Sequence, residues 1–302
     1  MNTNSLSSSI IGKKRSLEEG ERKEENVVMK KGKSLLERQA ITLTFGDRAE
    51  NHRGMQIIGE GAVSGFSLRD LERTKEYFER EKGVEGCRIV KLHEIAEMVK
   101  KDEVISLPEA YLLIVPRGGC HLVDYNKLCE EMLSVEWDEK AFMYGRVVNK
   151  KARHNLCFDE SSQRPDYENG LGTIVSFNEV PELGKLKRDL VSIVPNAGEL
   201  KVEGNYYYDV NKCGIGYHGD SERKKVIGMR LGEMYPLCYQ WFEWGKPISK
   251  RVQFSLGQGD LYMMSEKAVG SDWKTKRVPT LRHAAGCADF IVYKEKKEKG
   301  SK

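Results

Sequence analysis

The sequence predicts an α+β fold whose later half is dense in short β-strands. After Gly204, short apolar runs are separated by Gly, Asp, Pro and Asn, a pattern typical of an all-β sandwich or barrel. Two other segments carry apolar residues at helical spacing. The expected strands are 55–59, 87–92, 111–115, 174–177, 205–208, 215–220, 225–231, 238–242, 251–256, 260–264 and 289–293.

The chain begins with a segment that is too polar to build a core. Residues 1–42 are expected to form a disordered charged tail, because Ser, Asn and mixed charges dominate there. The run Lys13-Lys14-Arg15 is typical of a nuclear-import signal, although a solvated tail is the simpler interpretation. Residues 43–105 are expected to form a small α/β region of unknown role. Within it, Ser67 is typical of a helix cap, and Gly83 ends the helical spacing.

Residues 106–296 are expected to form the main domain. Helices are predicted at 124–133 and at 181–195, where Leu186, Leu190 and Ile193 share one face. Together with the dense strands, these helices predict a double-stranded β-helix of the jelly-roll type with helices on one flank.

Composition restricts the classes of protein to which the chain can belong. It has 302 residues and a formal charge of +4, which allows a nucleic-acid partner without requiring one. Neither a membrane-spanning apolar run nor a secretory leader is present, so an intracellular protein, cytoplasmic or nuclear, is expected without a membrane partner. The seven cysteines include no C-x-x-C pair, which argues against a structural zinc site and a disulfide framework.

A histidine and an aspartate stand two residues apart in the strand-dense half. On a strand, His218 and Asp220 would point to the same side. His283 follows 63 positions after Asp220 in a segment that can start a strand. Two imidazoles and one carboxylate are the ligand set that binds non-heme Fe(II) and leaves positions open. An H-x-D triplet alone is also common as a polar turn.

The residues around this triplet resemble the AlkB family of Fe(II)- and 2-oxoglutarate-dependent oxygenases. That family has a tyrosine ten residues before the first metal histidine, and acidic residues after H-x-D. Here Tyr208 precedes His218 by ten residues, and Ser221-Glu222 follows Asp220. The similarity spans about residues 140–295, and its other segments are 144–151, 226–232, 256–264 and 279–286.

The resemblance implies a jelly-roll oxygenase. Fe(II) would be bound by His218, Asp220 and His283, with 2-oxoglutarate and O₂ as co-substrates. The reaction would yield succinate and CO₂ and hydroxylate a substrate alkyl group, which an N-methyl base then loses as formaldehyde. Tyr208 would donate a hydrogen bond to 2-oxoglutarate, and packing in the core is its alternative role.

The sequence departs from the family where the distal carboxylate of 2-oxoglutarate needs a cation. The family usually places an arginine on the strand after the second histidine, where residues 284–296 contain none. Arg230 lies in an apolar strand, where an unpaired charge is costly. We therefore predict that Arg230 binds this carboxylate, with Lys294 as second choice, unless Arg230 lies on an edge strand and faces solvent. The family's asparagine two residues before its tyrosine is replaced by Tyr206.

The candidate substrate-binding residues are basic and aromatic. Basic groups beside aromatic rings suit phosphate contacts and base stacking, although a solvated loop has the same composition. The candidates are Tyr144, Arg146, Lys150 and Lys151 upstream, and Tyr217 and Glu222 beside the metal residues.

Three functions are compatible with this sequence. The first is oxidative demethylation of nucleobases in DNA or RNA, as in DNA repair, on a single-stranded or flipped-out base. The second keeps the chemistry but hydroxylates a protein side chain, or a base methyl group without removing it. The third is a non-catalytic nucleic-acid-binding relative. The oligomeric state stays open.

Overall fold

The protein has a mixed α+β fold that is rich in strands. This computed structural model describes residues 35–99 and 105–294, which belong to one compact unit. The helices are α1 (Leu68–Arg80), α2 (Tyr125–Ser134), α3 (Pro181–Ile193), α4 (Glu266–Val269) and α5 (Ala288–Ile291). The strands are β1 (Ala40–Gly46), β2 (Arg48–Glu50), β3 (Ile57–Gly59), β4 (Arg88–Lys91), β5 (Tyr111–Val115), β6 (Lys140–Met143), β7 (Arg146–Asn149), β8 (His154–Asp159), β9 (Ile174–Ser176), β10 (Lys201–Tyr207), β11 (Gly214–His218), β12 (Val226–Gly232), β13 (Tyr235–Glu243), β14 (Lys246–Pro247), β15 (Val252–Leu256), β16 (Leu261–Met264) and β17 (Thr280–Gly286).

The large sheet has the strand order β4-β5-β16-β12-β1-β10-β8-β9. Its neighbouring strands are antiparallel except β8 and β9, which are parallel. β1 lies inside this sheet, where Leu43 is opposite Gly204 on β10 and Met229 on β12. The first described strand is therefore a central one.

One face of the large sheet packs against the helices. Because side chains alternate along a strand, Ile41, Leu43 and Phe45 of β1 share this face. They belong to one buried cluster with Leu71 of α1 and Leu186 of α3. This cluster is the largest buried hydrophobic cluster in the described part of the chain.

The other face of the large sheet packs against the second sheet. That sheet has the order β11-β17-β13-β14, and β15 also pairs with β13. A second buried cluster joins Ile114 and Tyr262 from the large sheet to Trp241 and Leu281 from the second. The layers are thus helices, large sheet and second sheet.

The predicted helices are confirmed, and their ends follow local capping chemistry. Ser67 accepts a hydrogen bond from the Asp70 amide through its hydroxyl, and the Asp70 carboxylate accepts one from the Ser67 amide. This capping box satisfies amides that the first turn of α1 leaves free. Pro181 stands at the first turn of α3, where its missing N–H costs nothing.

Two predicted boundaries need correction. Residues 40–42 of the predicted tail belong to β1, and the whole strand is buried. β1 and β4, from the predicted 43–105 region, are strands of the large sheet, so the sheet continues across the boundary expected at residue 105. Residues 1–34, including the run Lys13-Lys14-Arg15, lie outside the described residues.

The strand expected at 289–293 is wrong. Ala288–Ile291 forms the short helix α5, and the Val292 amide donates to the Ala288 carbonyl. Ile291 and the ring of Phe290 pack this turn against β11 and β17, so the tertiary contacts override the strand-like composition. None of the helices in the described ranges has the length and apolar character needed to cross a bilayer.

We expect Leu43→Ala to lower the free energy of unfolding by about 2–5 kcal/mol, because a fully buried leucine at the centre of the large sheet leaves a cavity. Urea unfolding followed by circular dichroism measures the change. Val63→Ala is the matched control, since Val63 is 95% exposed and should shift stability by less than about 0.5 kcal/mol. Equal effects would contradict the central position of β1.

Candidate metal centre and its cavity

His218, Asp220 and His283 converge at one point between the two sheets. The Nε2 atoms of His218 and His283 each lie 3.5 Å from Asp220 Oδ1. The ligand atoms of all three lie within 4.8 Å of one another. Two donors bound to one ion at about 2.1 Å stand about 3 Å apart, so a small contraction would close this set on a metal.

The pairing of β11 with β17 brings the two histidines together. His218 is opposite His283 in this antiparallel pair, and their rings are 4.4 Å apart at the centroids. The register shifts between Ile215 and His218, which re-aims the end of β11. Such irregularities often redirect a side chain next to a functional site.

Gly219 lets the chain place both ligands on one side. A Cβ at this position would lie 2.0 Å from the Gly270 carbonyl oxygen, so no side chain fits. The Asp220 amide then donates to the Val269 carbonyl at 3.1 Å. These contacts fix the aspartate against the segment that follows β16.

His218 is held in the state that binds a metal. His218 Nδ1 lies 2.8 Å from the Gly216 carbonyl, which selects the tautomer with a proton on Nδ1 and leaves Nε2 free to coordinate. Burial and the neighbouring His283 lower the pKa of His218 to about 3, so its imidazole is neutral at pH 7. The Nδ1 of His283 is buried without a partner among the described residues.

Arg223 keeps the aspartate ionised. Burial alone would raise the pKa of Asp220, but Arg223 and the two histidines hold it well below its ordinary value. Arg223 Nε lies 3.6 Å from Asp220 Oδ2, and its guanidinium also pairs with Glu203 and Glu222. The arginine is 3% exposed, so these pairs are desolvated.

The triad opens into a cavity of about 700 Å³ between the sheets. Its walls come from alternate residues of the strands, such as Thr42 and Thr44 on β1 and Glu203, Asn205 and Tyr207 on β10. This explains why β1 alternates threonine with apolar residues: the apolar side packs on the helices and the threonine side faces the cavity.

Arg230 lies in the wall of this cavity and is 1% exposed. Its Nη1 donates to the Thr42 hydroxyl, and its guanidinium lies 5.4 Å from the Tyr235 ring centroid and 6.0 Å from that of Tyr207. Its Nε has no partner, and no carboxylate in the described ranges lies within ion-pair distance. A buried cation without a counter-charge is costly unless a ligand supplies one. Arg230 therefore does not face solvent from an edge strand, which was the alternative to its predicted role.

Tyr208 does not face the cavity. Its hydroxyl donates to the Lys151 carbonyl at 2.7 Å, and its ring stacks on His154. Because side chains alternate, Asn205 and Tyr207 face the cavity instead. An asparagine two residues before a tyrosine is therefore present, with the tyrosine one position farther from His218 than the sequence comparison assumed.

Lys294 is also placed outside the cavity. It pairs with Asp289 at 2.8 Å, and its side chain is 68% exposed. The second-choice role for Lys294 is therefore wrong, because the helix α5 turns this segment away from the triad.

Most of the predicted substrate-binding residues lie outside the cavity lining. Tyr144 is 89% exposed at the tip of the β6–β7 hairpin, and Arg146 and Lys151 are also exposed. Tyr217 alternates with His218 and packs against Phe242 on the opposite side. Of the six candidates, only Glu222 lines the cavity. Lys150 is half-buried and is not among the lining residues, although the nearby Arg153 is.

Sequence reasoning missed the residues that form the mouth of the cavity. They are carried by β2, by the turn between β2 and β3, and by the segment after α4, and they include Arg48, Glu50, His52, Arg53, Trp273 and Lys274. Residues 51–54 are Asn-His-Arg-Gly, which is typical of a polar turn. Nothing in the sequence indicates that this turn lies beside His218.

The comparisons with known proteins give one clear relative. The chain is 45% identical over 254 residues to an uncharacterized protein of Acanthamoeba polyphaga mimivirus, and the match covers 84% of this chain and 98% of the viral protein. The chain belongs to the family of this viral protein. No family model matches the sequence. The cavity and triad therefore carry the functional argument.

We expect His218→Ala and Asp220→Ala to weaken binding of a divalent transition metal by at least about 100-fold, because loss of outer-shell partners alone costs 10–100-fold. Calorimetric titration of the metal-free protein with Co(II) measures this affinity. His121→Ala, a change at an exposed histidine, should bind like wild type. Unchanged affinity in His218→Ala and Asp220→Ala would disprove the metal centre.

The stability of the protein should depend on pH through His52. Burial, with Lys150 and Arg153 nearby, lowers the pKa of His52 from 6.5 to about 4. As the pH falls, His52 is therefore protonated in the unfolded chain before it is protonated in the folded one. Its contribution to the free energy of unfolding is fully present above pH 6.5 and is lost towards pH 4. Wild type should therefore lose more unfolding free energy between pH 7 and pH 5 than His52→Gln does. We expect the difference to be about 1–2 kcal/mol, measured by urea unfolding at the two pH values. Parallel pH profiles for wild type and variant would contradict this.

Proposed function

We propose that this protein is an Fe(II)- and 2-oxoglutarate-dependent oxygenase that oxidatively removes alkyl groups from nucleobases in DNA or RNA. One observation carries the proposal. The cavity that contains the two-histidine, one-carboxylate triad also contains a fully buried arginine without a carboxylate partner among the described residues.

The donor set favours Fe(II) over other metals. Two neutral imidazoles and one ionised carboxylate on one side of an ion leave the remaining positions for a bidentate co-substrate and O₂. Structural zinc sites use four protein ligands instead, and no fourth His, Cys, Asp or Glu joins this group within the described ranges. His218, Asp220 and His283 would hold the ion.

Arg230 suits the distal carboxylate of 2-oxoglutarate. Its guanidinium has free donors and faces a wall formed by Thr42, Tyr207 and Tyr262. A planar guanidinium binds a carboxylate through two charge-assisted hydrogen bonds. In this proposal, the dicarboxylate spans the cavity from Arg230 to the metal, and Tyr207 and Asn205 take the roles that the AlkB family gives to its tyrosine and asparagine.

The arrangement of the sheets supports a double-stranded β-helix core. Two antiparallel sheets pack face to face, and the metal residues lie on β11, on β17 and just after β11. In jelly rolls two such sheets enclose the ligand site at one end of the sandwich.

The chain's own groups would define the geometry of the reaction. When bound, Fe(II) would let O₂ oxidise both 2-oxoglutarate, to succinate and CO₂, and an unactivated C–H bond of the substrate, which would receive the second oxygen atom as hydroxyl. Protein side chains cannot provide this chemistry. Arg223 keeps Asp220 ionised, and Arg230 orients the co-substrate. Glu222, at the cavity wall, offers a carboxylate to a donor group of the base. Hydroxylation of an N-methyl group gives a carbinol that releases formaldehyde.

Arg230→Met should raise the dissociation constant of 2-oxoglutarate about 100-fold, because it removes two charge-assisted bonds to the distal carboxylate. Anaerobic titration of the Fe(II) protein with 2-oxoglutarate, followed by the visible metal-to-ligand charge-transfer band, measures the constant. Lys294→Met is the control and should match wild type. Equal affinities in all three proteins would disprove the role of Arg230.

The substrate class is tested by succinate release on a panel of methylated single-stranded oligonucleotides, with Asp220→Ala as the inactive reference. Stimulation by one methylated base over its unmethylated counterpart is the expected result. Stimulation by protein extracts but by no oligonucleotide would favour a side-chain hydroxylase. A missing charge-transfer band would favour a non-catalytic relative.

A further inference from the structure

The mouth of the cavity is surrounded by positive side chains that no sequence motif identified. We call these residues the basic rim. Arg48, His52 and Arg53 come from β2 and the turn that follows it, whereas Arg153 precedes β8 and Lys274 follows Trp273. They reach one mouth because β2–β3 is docked on a second loop: Asn51 donates to the Thr173 carbonyl, and the Gln56 amide donates to the Gly170 carbonyl.

The basic rim has no internal counter-charge. Within the described part of the chain, none of its members lies within ion-pair distance of a carboxylate. The nearby acids Glu203, Asp220 and Glu222 share the single guanidinium of Arg223, and burial raises the pKa of Glu50 to about 7. Arg153 donates only to the neutral amide oxygen of Asn205, at 2.7 Å. The cations of the rim are therefore not paired with these acids and are available to an anion at the mouth.

Three nitrogen atoms at or behind the rim are buried without a hydrogen-bond partner. They are Arg48 Nε, His52 Nδ1 and the Nζ of Lys150. Burial is the main cause that lowers the pKa of Lys150 to about 8, against the neighbouring Asp138, which raises it, and with a smaller contribution from Arg153. Buried unpaired donors are costly, and a native structure retains them where a ligand completes the bonding.

Phosphate is the ligand chemistry that fits these groups. It is anionic, offers several acceptor oxygens, and binds arginine and lysine through charge-assisted hydrogen bonds. The rim also includes an aromatic ring, because Arg53 and Lys274 each lie within 5.9 Å of the centroid of Trp273, which Arg282 approaches to 5.3 Å. Aromatic rings beside cations suit a polymer that alternates flat bases with phosphates.

We propose that the basic rim binds backbone phosphates of single-stranded nucleic acid on either side of the nucleotide that enters the cavity. This inference rests on the proposed function and deepens it by assigning the residues that recognise the polymer. It moves the nucleic-acid contacts from the exposed β6–β7 hairpin to the β2–β3 turn, Arg153 and Lys274.

The chain offers a matched comparison. Arg53→Gln/Lys274→Gln removes one arginine and one lysine of the rim, and Arg146→Gln/Lys151→Gln removes the same pair from the exposed hairpin and its flank. Fluorescence anisotropy with a labelled 12-mer of single-stranded DNA or RNA, from 50 to 300 mM salt, gives the affinity and its salt dependence for the full-length chain.

We expect the rim variant to bind about 10-fold more weakly, and the slope of log affinity against log salt to fall by about 1.4, since each phosphate contact in a single strand contributes about 0.7. The hairpin variant should stay within about twofold of wild type. Arg53→Gln alone serves if the double variant does not fold, because Arg53 is exposed and its guanidinium lies 5.8 Å from the Trp273 ring centroid. Equal affinity in rim variant and wild type, or equal losses in both double variants, overturns the inference.

A second measurement separates this inference from the proposed function. The anaerobic charge-transfer band with Fe(II) and 2-oxoglutarate reports the metal site alone. If wild type lacks the band while the rim variant still loses oligonucleotide affinity, the phosphate site stands and the oxygenase proposal fails. If the band is present but wild type binds no oligonucleotide, or binds a phosphopeptide more tightly, the rim inference fails alone.

Discussion

The candidate site depends on one desolvated arginine. Arg223 pairs with Asp220 and Glu222 after β11 and with Glu203 on β10, and so connects the metal residues to the large sheet. A carboxylate buried beside two imidazoles would otherwise tend to take up a proton. With Arg223 present, Asp220 stays charged. The same arginine thus holds the aspartate in position and keeps it ionised.

One face of the large sheet forms the main core, and the other lines the cavity of the candidate site. Residues that point to the helices are aliphatic or aromatic, as Leu43 and Met229 are, and they form the main core. Their neighbours in sequence point into the cavity and include Thr42 and Arg230. The two-residue period of a strand therefore lets one strand contribute to both the core and the cavity, and an apolar strand can carry a charged residue without exposing it to water.

The same period explains what the sequence could and could not predict. His218 and Asp220 were accessible because a two-residue spacing on a strand fixes their common side, and the helices were accessible because caps such as Ser67 act locally. Tyr208 was misassigned because neighbouring residues on a strand point to opposite faces, so an error of one position exchanges Tyr207 for Tyr208. β1 was missed although Ile41, Leu43 and Phe45 alternate with threonines, because the polar residues before it dominated the interpretation. The mouth residues were inaccessible, since only the tertiary fold brings the turn after β2 beside Arg153.

Gly219 has a consequence for how this molecule tolerates change. Because the Gly270 carbonyl occupies the space of any side chain at position 219, the spacing between the two ligands of H-x-D is fixed by backbone packing. At the turn after β2, by contrast, a Cβ at Gly54 would meet nothing within 4 Å, and only its positive φ of 84° favours glycine. A side chain at position 219 would displace the backbone around the metal residues, whereas the cost of one at position 54 is confined to the strain of a single turn residue.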